Sequence, residues 1–244
     1  MIRFHKAGKS FGSAVALRPI NLEIPANKTT VLIGLSGSGK STILRLISGL
    51  IEPTTGWIEI EGQKLSPKKL PDFRRRMGYV IQSSDLFPHL TARRNILLVA
   101  RKLGLGMDEM TIRMEELCTL TRFPTDLLDR YPVELSGGEQ RRVSLVRALM
   151  LSPDFLLLDE PMGALDPMVR AGLLKDLKAL FERLNETVIL VTHDLVEAAR
   201  LGDWVVLLKA GRIVQQGPFA ELASCPAEPF VSEFFRAQQE EVYS

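Results

Sequence analysis

The stretch GLSGSGKS, Gly34 to Ser41, constrains this chain more than any other. It follows TTVLIG, a short β-rich apolar run from Thr29, and precedes STILRLISGL, whose apolar spacing is helical and stops at glycine. The order is strand, glycine-rich loop, helix, and the loop matches G-x-x-x-x-G-K-[ST]. In that setting glycines let backbone N–H groups curl round phosphate oxygens. A surface-facing Lys40 neutralises the β- and γ-phosphates, and the Ser41 hydroxyl can ligate magnesium. A chance match has odds of roughly one in a hundred for a chain of this length. A dinucleotide-binding loop is excluded, because Lys40, Ser41 and Thr42 follow Gly37 and Gly39 where a third glycine is required.

Two carboxylates point to hydrolysis rather than mere binding. In FLLLDEP, Asp159 and Glu160 stand where an apolar strand emerges, so one can hold a magnesium shell while the next polarises water. An adjacent acid pair alone is usually a turn; after an apolar strand, in a chain with a phosphate loop, it reads as chemistry. His193 follows TVILVT and Gln82 follows MGYVI, both at strand ends. For each, two readings stay open: contact with a terminal phosphate, or a satisfied structural role. In LSGGEQRR, Leu135 to Arg142, Ser136 precedes Glu139 by three residues, a capping box opening a helix through VSLVRAL. Its free N–H groups and positive dipole end suit a second phosphate.

Around these motifs the pattern predicts an α/β fold. FLLLDE and TVILVTHD, separated by the helical MVRAGLLKDLKALFERL, argue for parallel strands with crossover helices. MIRFHKA, INLEI and GWIEIEG alternate instead and predict a small antiparallel sheet. From about Leu90 to Leu149 the signal is helical, broken at Gly104, Gly106, Pro124 and Pro132. The expectation is a P-loop NTPase core, mostly parallel sheet with flanking helices, over about 1–85 and 152–244, carrying the antiparallel β part. An inserted helical subdomain with LSGGEQ spans about 86–151.

At 244 residues, 45% apolar and 25% charged, the chain can bury a full core. The apolar runs FLLL and WVVLL are strand-sized, so no segment is expected to cross a bilayer. The N-terminal MIRFHKAGKSFG lacks an apolar h-region, so the chain is expected to stay in the cytosol. A net charge of +2 gives no case for a nucleic-acid binder. KKLPDFRRR, from Lys68, reads as the solvated face of a loop and short helix, and FVSEFFRAQQ as a short helix packed on the core. Cys118 and Cys225, far apart and without a histidine cluster, read as packing residues.

With these motifs assembled, nearly the whole chain resembles the nucleotide-binding subunit of an ABC transporter. GLSGSGKST is similar to that family's Walker A motif and FLLLDE to its Walker B; Gln82 matches the Q-loop, LSGGEQ the signature, GALD the D-loop and His193 the switch histidine. The resemblance implies an ATPase using ATP and Mg2+. Glu160, His193, Gln82 and Lys40 would be catalytic. Phe11, Gly34, Ser36, Gly37, Ser38, Gly39, Lys40, Ser41, Thr42, Gln82, Ser136, Gly137, Gly138, Glu139 and Asp166 would bind nucleotide. Ser41, Gln82 and Asp159 would hold the metal. Phe11 replaces the usual adenine-stacking tyrosine, keeping the π-face and losing a hydroxyl.

The resemblance also implies partners. Family members pair head to tail, the signature of one copy closing over ATP on the P-loop of the other. They dock on transmembrane permease subunits at the cytoplasmic face of the membrane, and importers add an extracytoplasmic substrate-binding protein. GYVIQSSDLFPHLT, DRYPVELSGGEQRR and LLKAGRIVQQG look most like osmoprotectant and quaternary-amine importers (glycine betaine, carnitine, choline). The segment after Gln82 would meet a permease coupling helix. Arg93 and Arg94 depart from the acidic residue common before Asn95 in related importers. The sequence stops at Ser244, so regulation through a long tail is not expected. The runner-up is a subunit for another solute, an amino acid importer or an exporter. ABC ATPases of DNA maintenance or translation fit less well, because no coiled coil interrupts the cassette and only one P-loop is present.

Overall fold

The computed structural model describes residues 1–82, 86–163, 166–183 and 186–243, with side chains to residue 238. The chain begins with β1 (Ile2–Phe11), β2 (Ala14–Ile24), β3 (Thr29–Gly34), α1 (Lys40–Ile47), β4 (Thr55–Ile60), β5 (Gln63–Lys64) and α2 (Leu70–Arg75). There follow β6 (Met77–Val80), α3 (Ala92–Lys102), α4 (Met107–Leu120), α5 (Gly137–Leu149), β7 (Phe155–Asp159) and α6 (Pro167–Arg183). Last come β8 (Thr187–Val191), α7 (Leu195–Leu201), β9 (Trp204–Lys209), β10 (Arg212–Gly217), α8 (Phe219–Ser224) and α9 (Pro229–Tyr243). Packing divides them into two compact units, residues 1–74 with 186–244, and residues 75–185.

In the first unit the alternating segments form an antiparallel sheet in the order β2-β1-β4-β5. Ile2 faces Ile24 and Ile60, and Phe4 faces Leu22 and Ile58; all six are buried, which pins one face to the core. The register slips after Phe4, where Lys6 adopts φ 45° and donates its N–H to Asn21 Oδ1 at 2.9 Å. β3 is buried along its whole length and pairs in parallel with β8 on one side and β9 on the other. That two-sided burial is why its sequence reads as a continuous apolar run. α1 packs Ile43, Leu44, Leu46 and Ile47 inward, and Arg74 of α2 donates to Ser48 O (3.1 Å) and Gly49 O (2.8 Å) at its C-terminal end. The basic run is thus partly structural: Arg74 caps a helix, and Phe73 is buried.

The second unit pairs β6 in parallel with β7 and packs α3 and α4 against α5, with Ile96, Leu97, Met114, Leu117, Val143 and Val146 buried on these helices. Between Leu86 and Leu151 no strand occurs among the described residues, as the helical pattern predicts. Asn95, fully buried, ties the turn before α3 by accepting from Phe87 N at 2.8 Å and donating to the carbonyls of Phe87, Leu90 and Thr91. Asp176 of α6 is a buried charge: it faces Arg142 of α5 at 2.8 Å and Arg122 at 3.0 Å. Cys118 is core, and burial pushes its thiol up to about 11. Cys225 is exposed, against the packing role expected for it; it follows α8, whose only buried residue is Leu222. No helix among the described residues is long and apolar enough to cross a membrane.

The Asp176 cluster gives a stability test. Asp176→Ala leaves the largely buried Arg142 guanidinium without its carboxylate, at a cost of about 3 kcal/mol. In a chain of this size that lowers Tm by roughly 6–12 °C. Arg122→Ala, removing a partner whose side chain is 64% exposed, is expected to cost less than about 1 kcal/mol. Equal losses in thermal melts would contradict this division.

Candidate functional site

In the first unit the phosphate-loop residues form a cradle of backbone. Gly39 is the N-cap of α1 in a left-handed conformation, φ 104°, so this helix start carries no side-chain cap. An added Cβ there would lie 2.8 Å from Ala16 O, and one on Gly34 2.3 Å from Leu208 O. Both glycines are dictated by the close approach of β2 and β9. Gly211, in the turn between β9 and β10, donates its N–H to Ser38 O at 3.1 Å and accepts from Arg18 N at 2.8 Å, fastening the loop from outside. Lys40 is 6% exposed and donates to Gly34 O (2.7 Å) and Leu35 O (3.0 Å). The expected surface-facing lysine is therefore corrected: the curled loop draws the ammonium onto its own carbonyls. Ser36 and Gly37 are exposed, Ser41 and Thr42 half-buried. Ser38 is 3% exposed, and its Oγ has no hydrogen-bond partner. A buried orphan hydroxyl beside uncapped helix amides fits a phosphate-bearing ligand.

The same unit places His193 at the level of this loop. Leu32 of β3 pairs with Val191 of β8, so Gly34 and His193 each stand two residues beyond that pair, at the carboxyl edge of parallel strands. His193 is exposed, on a turn held from both sides. Thr192 Oγ1 donates to the buried Glu197 at 2.5 Å, and Leu195 N donates to Gln238 Oε1 of α9 at 3.3 Å. Sequence reasoning singled out neither Glu197 nor Gln238. Phe11 ends β1 opposite Ala14, with its ring 50% exposed and Lys9 Nζ 5.1 Å from the centroid. Its partner Ala14 stands two residues before Ala16, whose carbonyl faces Gly39.

The second unit repeats the strand-edge arrangement with carboxylates. Val80 of β6 pairs with Leu158 of β7, so Gln82 and Glu160 stand two residues beyond that pair, and Gln82 Nε2 donates to Glu160 Oε2 at 2.7 Å. Glu160 adopts φ 47°, an unfavourable left-handed backbone for a glutamate. Asp159 is buried. The capping box at α5 is as expected: Ser136 Oγ accepts from Glu139 N (3.3 Å), and Glu139 Oε2 accepts from Ser136 N (2.7 Å). Ser136 and Gly137 are exposed, whereas a Cβ on Gly138 would meet Val169 of α6 at 2.7 Å. Asp166 receives Met168 N on Oδ1 at 2.9 Å and Arg170 N on its carbonyl at 2.8 Å, capping α6. Ala164 and Leu165 of GALD, and Ser83 to Asp85 after Gln82, lie outside the described residues. Arg93 forks onto Asp129 at 2.9 and 3.0 Å, so this departure from the expected acid has a local partner.

Comparison with known proteins adds family context to this geometry. The ABC transporter family profile matches residues 17–163. The glycine betaine/carnitine/choline transport ATP-binding protein of Bacillus subtilis is 43% identical over 235 residues, 96% of this chain and 62% of that relative's length. The glycine betaine uptake system ATP-binding protein of Escherichia coli is 42% identical over 235 residues, 96% of this chain and 76% of the relative. A bacterial ABC transporter cassette solved as a dimer superposes with a TM-score of 0.82 at 33% identity, covering 90% of this chain and 99% of that one.

The cradle predicts that Gly39→Ala weakens binding of a nucleoside triphosphate by about tenfold or more, the strain of a misplaced loop being on the order of 1–3 kcal/mol. Titration with a fluorescent nucleotide reads this, with circular dichroism reporting an intact fold. Undiminished affinity would show that the loop does not hold the phosphates.

Proposed function

Because this chain belongs to the ABC transporter family, we propose that it is the ATP-hydrolysing subunit of a solute importer. Two copies pair head to tail, and their ATP cycle drives separate transmembrane permease subunits at the cytoplasmic face of the membrane, supplied by an extracytoplasmic substrate-binding protein. The identity to the glycine betaine relatives supports an osmoprotectant or quaternary amine as the solute. The chain is read as one ABC ATPase domain, with the nucleotide-binding core over about 1–85 and 152–244 and the helical subdomain over about 86–151.

One observation carries the hydrolytic reading: the 2.7 Å bond from Gln82 Nε2 to Glu160 Oε2, made at a strand edge on strained backbone. It aims one carboxylate in a fixed direction, as a general base requires. Glu160 would accept the proton of the attacking water, and Gln82 would set its orientation. Lys40 would neutralise phosphate charge, and the amides of Gly37 to Ser41 would bind phosphate oxygens. Phe11 would stack on the base. His193 would contact the terminal phosphate, Asp166 would serve the neighbouring nucleotide, and Ser136, Gly137, Gly138 and Glu139 would close over the ATP of the opposite copy.

Magnesium, when bound, would supply charge neutralisation on the phosphates. The Ser41 hydroxyl, the Asp159 carboxylate and the Gln82 amide oxygen would hold it, being the hard oxygen donors this ion prefers. Gln82 donates to Glu160 through nitrogen, so its amide oxygen is the atom that would meet the cation.

Glu160→Gln keeps the shape and removes the base. The variant is expected to bind ATP, to hydrolyse it at least about a hundredfold more slowly, and to elute as a dimer in size-exclusion chromatography with ATP and magnesium. Hydrolysis at the wild-type rate would place the base elsewhere.

A further inference from the structure

One side chain joins the head of α5 to the Gln82 turn, and the proposed function leaves it unassigned. Arg141 lies one turn after Gly137. Its Nη1 donates to Ile81 O at 2.7 Å and its Nη2 donates to Gln82 O. Arg141 also lines a small cavity of about 10 Å³ with Val80, Leu145, Leu158, Leu173 and Leu177. A planar fork gripping two successive carbonyls fixes the orientation of the peptide between them. That peptide sets the direction from which Gln82 reaches Glu160 at 2.7 Å.

The packing of α5 does not require this contact. Val143, Val146 and Leu149 are buried, and the next arginine, Arg142, anchors the helix to Asp176. At the other end of the same turn, the capping box holds Ser136 and Glu139 rigidly together. Arg141 therefore ties the helix that carries the capping box to the backbone of Gln82, while each end is secured locally by other bonds.

We propose that Arg141 is a positioning residue that couples the Gln82–Glu160 pair to the signature residues at the head of α5. A shift of the Gln82 turn is carried into Ser136 to Glu139 through the guanidinium, and a shift of the signature is carried back. The coupling rests on the reading of Glu160 as hydrolytic base. A merely structural pin would affect stability; a coupling residue affects turnover through Gln82.

Steady-state ATP hydrolysis by the full chain tests this in wild type, Arg141→Met, Arg141→Lys, Gln82→Ala and the double variant Gln82→Ala, Arg141→Met. Methionine keeps an unbranched apolar stem and removes the fork. It is expected to lower kcat about tenfold, with KM for ATP changed by less than about twofold. Lysine restores one donor and part of kcat. The double variant is expected to be no slower than Gln82→Ala alone, because both changes act through one group. Should the methionine chain fail to fold, Arg141→Lys alone and combined with Gln82→Ala carries the same comparison, with about a threefold loss of kcat. Multiplying losses, an effect on KM alone, or wild-type kcat in Arg141→Met would overturn the coupling. A wild-type chain without ATP turnover would overturn the hydrolytic reading and the coupling with it, whereas an active wild type with multiplying losses overturns the coupling alone.

Discussion

The amides at the start of α1 have no side-chain cap at Gly39, and the surrounding structure is arranged round that fact. A glycine is required there because β2 brings Ala16 O to within 2.8 Å of any Cβ, and its φ of 104° suits no other residue. β3 delivers the loop from the middle of a parallel array, buried on both faces, so the loop's base cannot drift. Gly211 fastens it from the neighbouring turn, and Lys40 lies over its carbonyls. The head of α5 is built the opposite way. Its Ser136 and Glu139 satisfy one another's amides, which leaves a rigid but locally closed helix start. One helix start leaves its amides without a side-chain cap, and the other satisfies them from its own residues.

Parallel pairing turns these local features into chemistry. In the first unit it sets Gly34 level with His193, and in the second it sets Gln82 level with Glu160, each two residues past a paired position. Strand ends in parallel register all face the same way, so groups far apart in sequence converge without long loops. The backbone strain at Glu160 belongs to this scheme, since the chain must turn sharply after Asp159 to bring the carboxylate to Gln82.

Much of this was legible in the sequence because it is local. The order of glycines before Lys40, the continuous run in β3, the alternation in β1 and β4, and the spacing of Ser136 and Glu139 each encode their structure within a few residues. What stayed illegible depends on partners distant in sequence. Gln82 and Glu160 are 78 residues apart, and only the pairing of β6 with β7 joins them. Nothing local in the helical MVRAGLLKDLKALFERL marks Asp176 as buried; that depends on Arg142 and Arg122, which face it from elsewhere in the chain. Lys40 reads as a surface charge because the carbonyls that bury it belong to the fold of its own loop. Gln238 reaches the His193 turn from α9, 43 positions beyond its partner Leu195.

The central claim is that the P-loop of one copy and the signature of another make one site, and tagged heterodimers test it most directly. A Lys40→Ala chain paired with a Ser136→Arg chain retains one good P-loop facing one good signature if sites are shared. A wild-type chain paired with the Lys40→Ala, Ser136→Arg double variant then retains none. Counting the nucleotide occluded per heterodimer separates the cases even where a single site cannot sustain turnover. The prediction is about one nucleotide occluded in the first pairing and none in the second. Occlusion in the second pairing alone would show that each copy uses its own signature and would contradict the shared site.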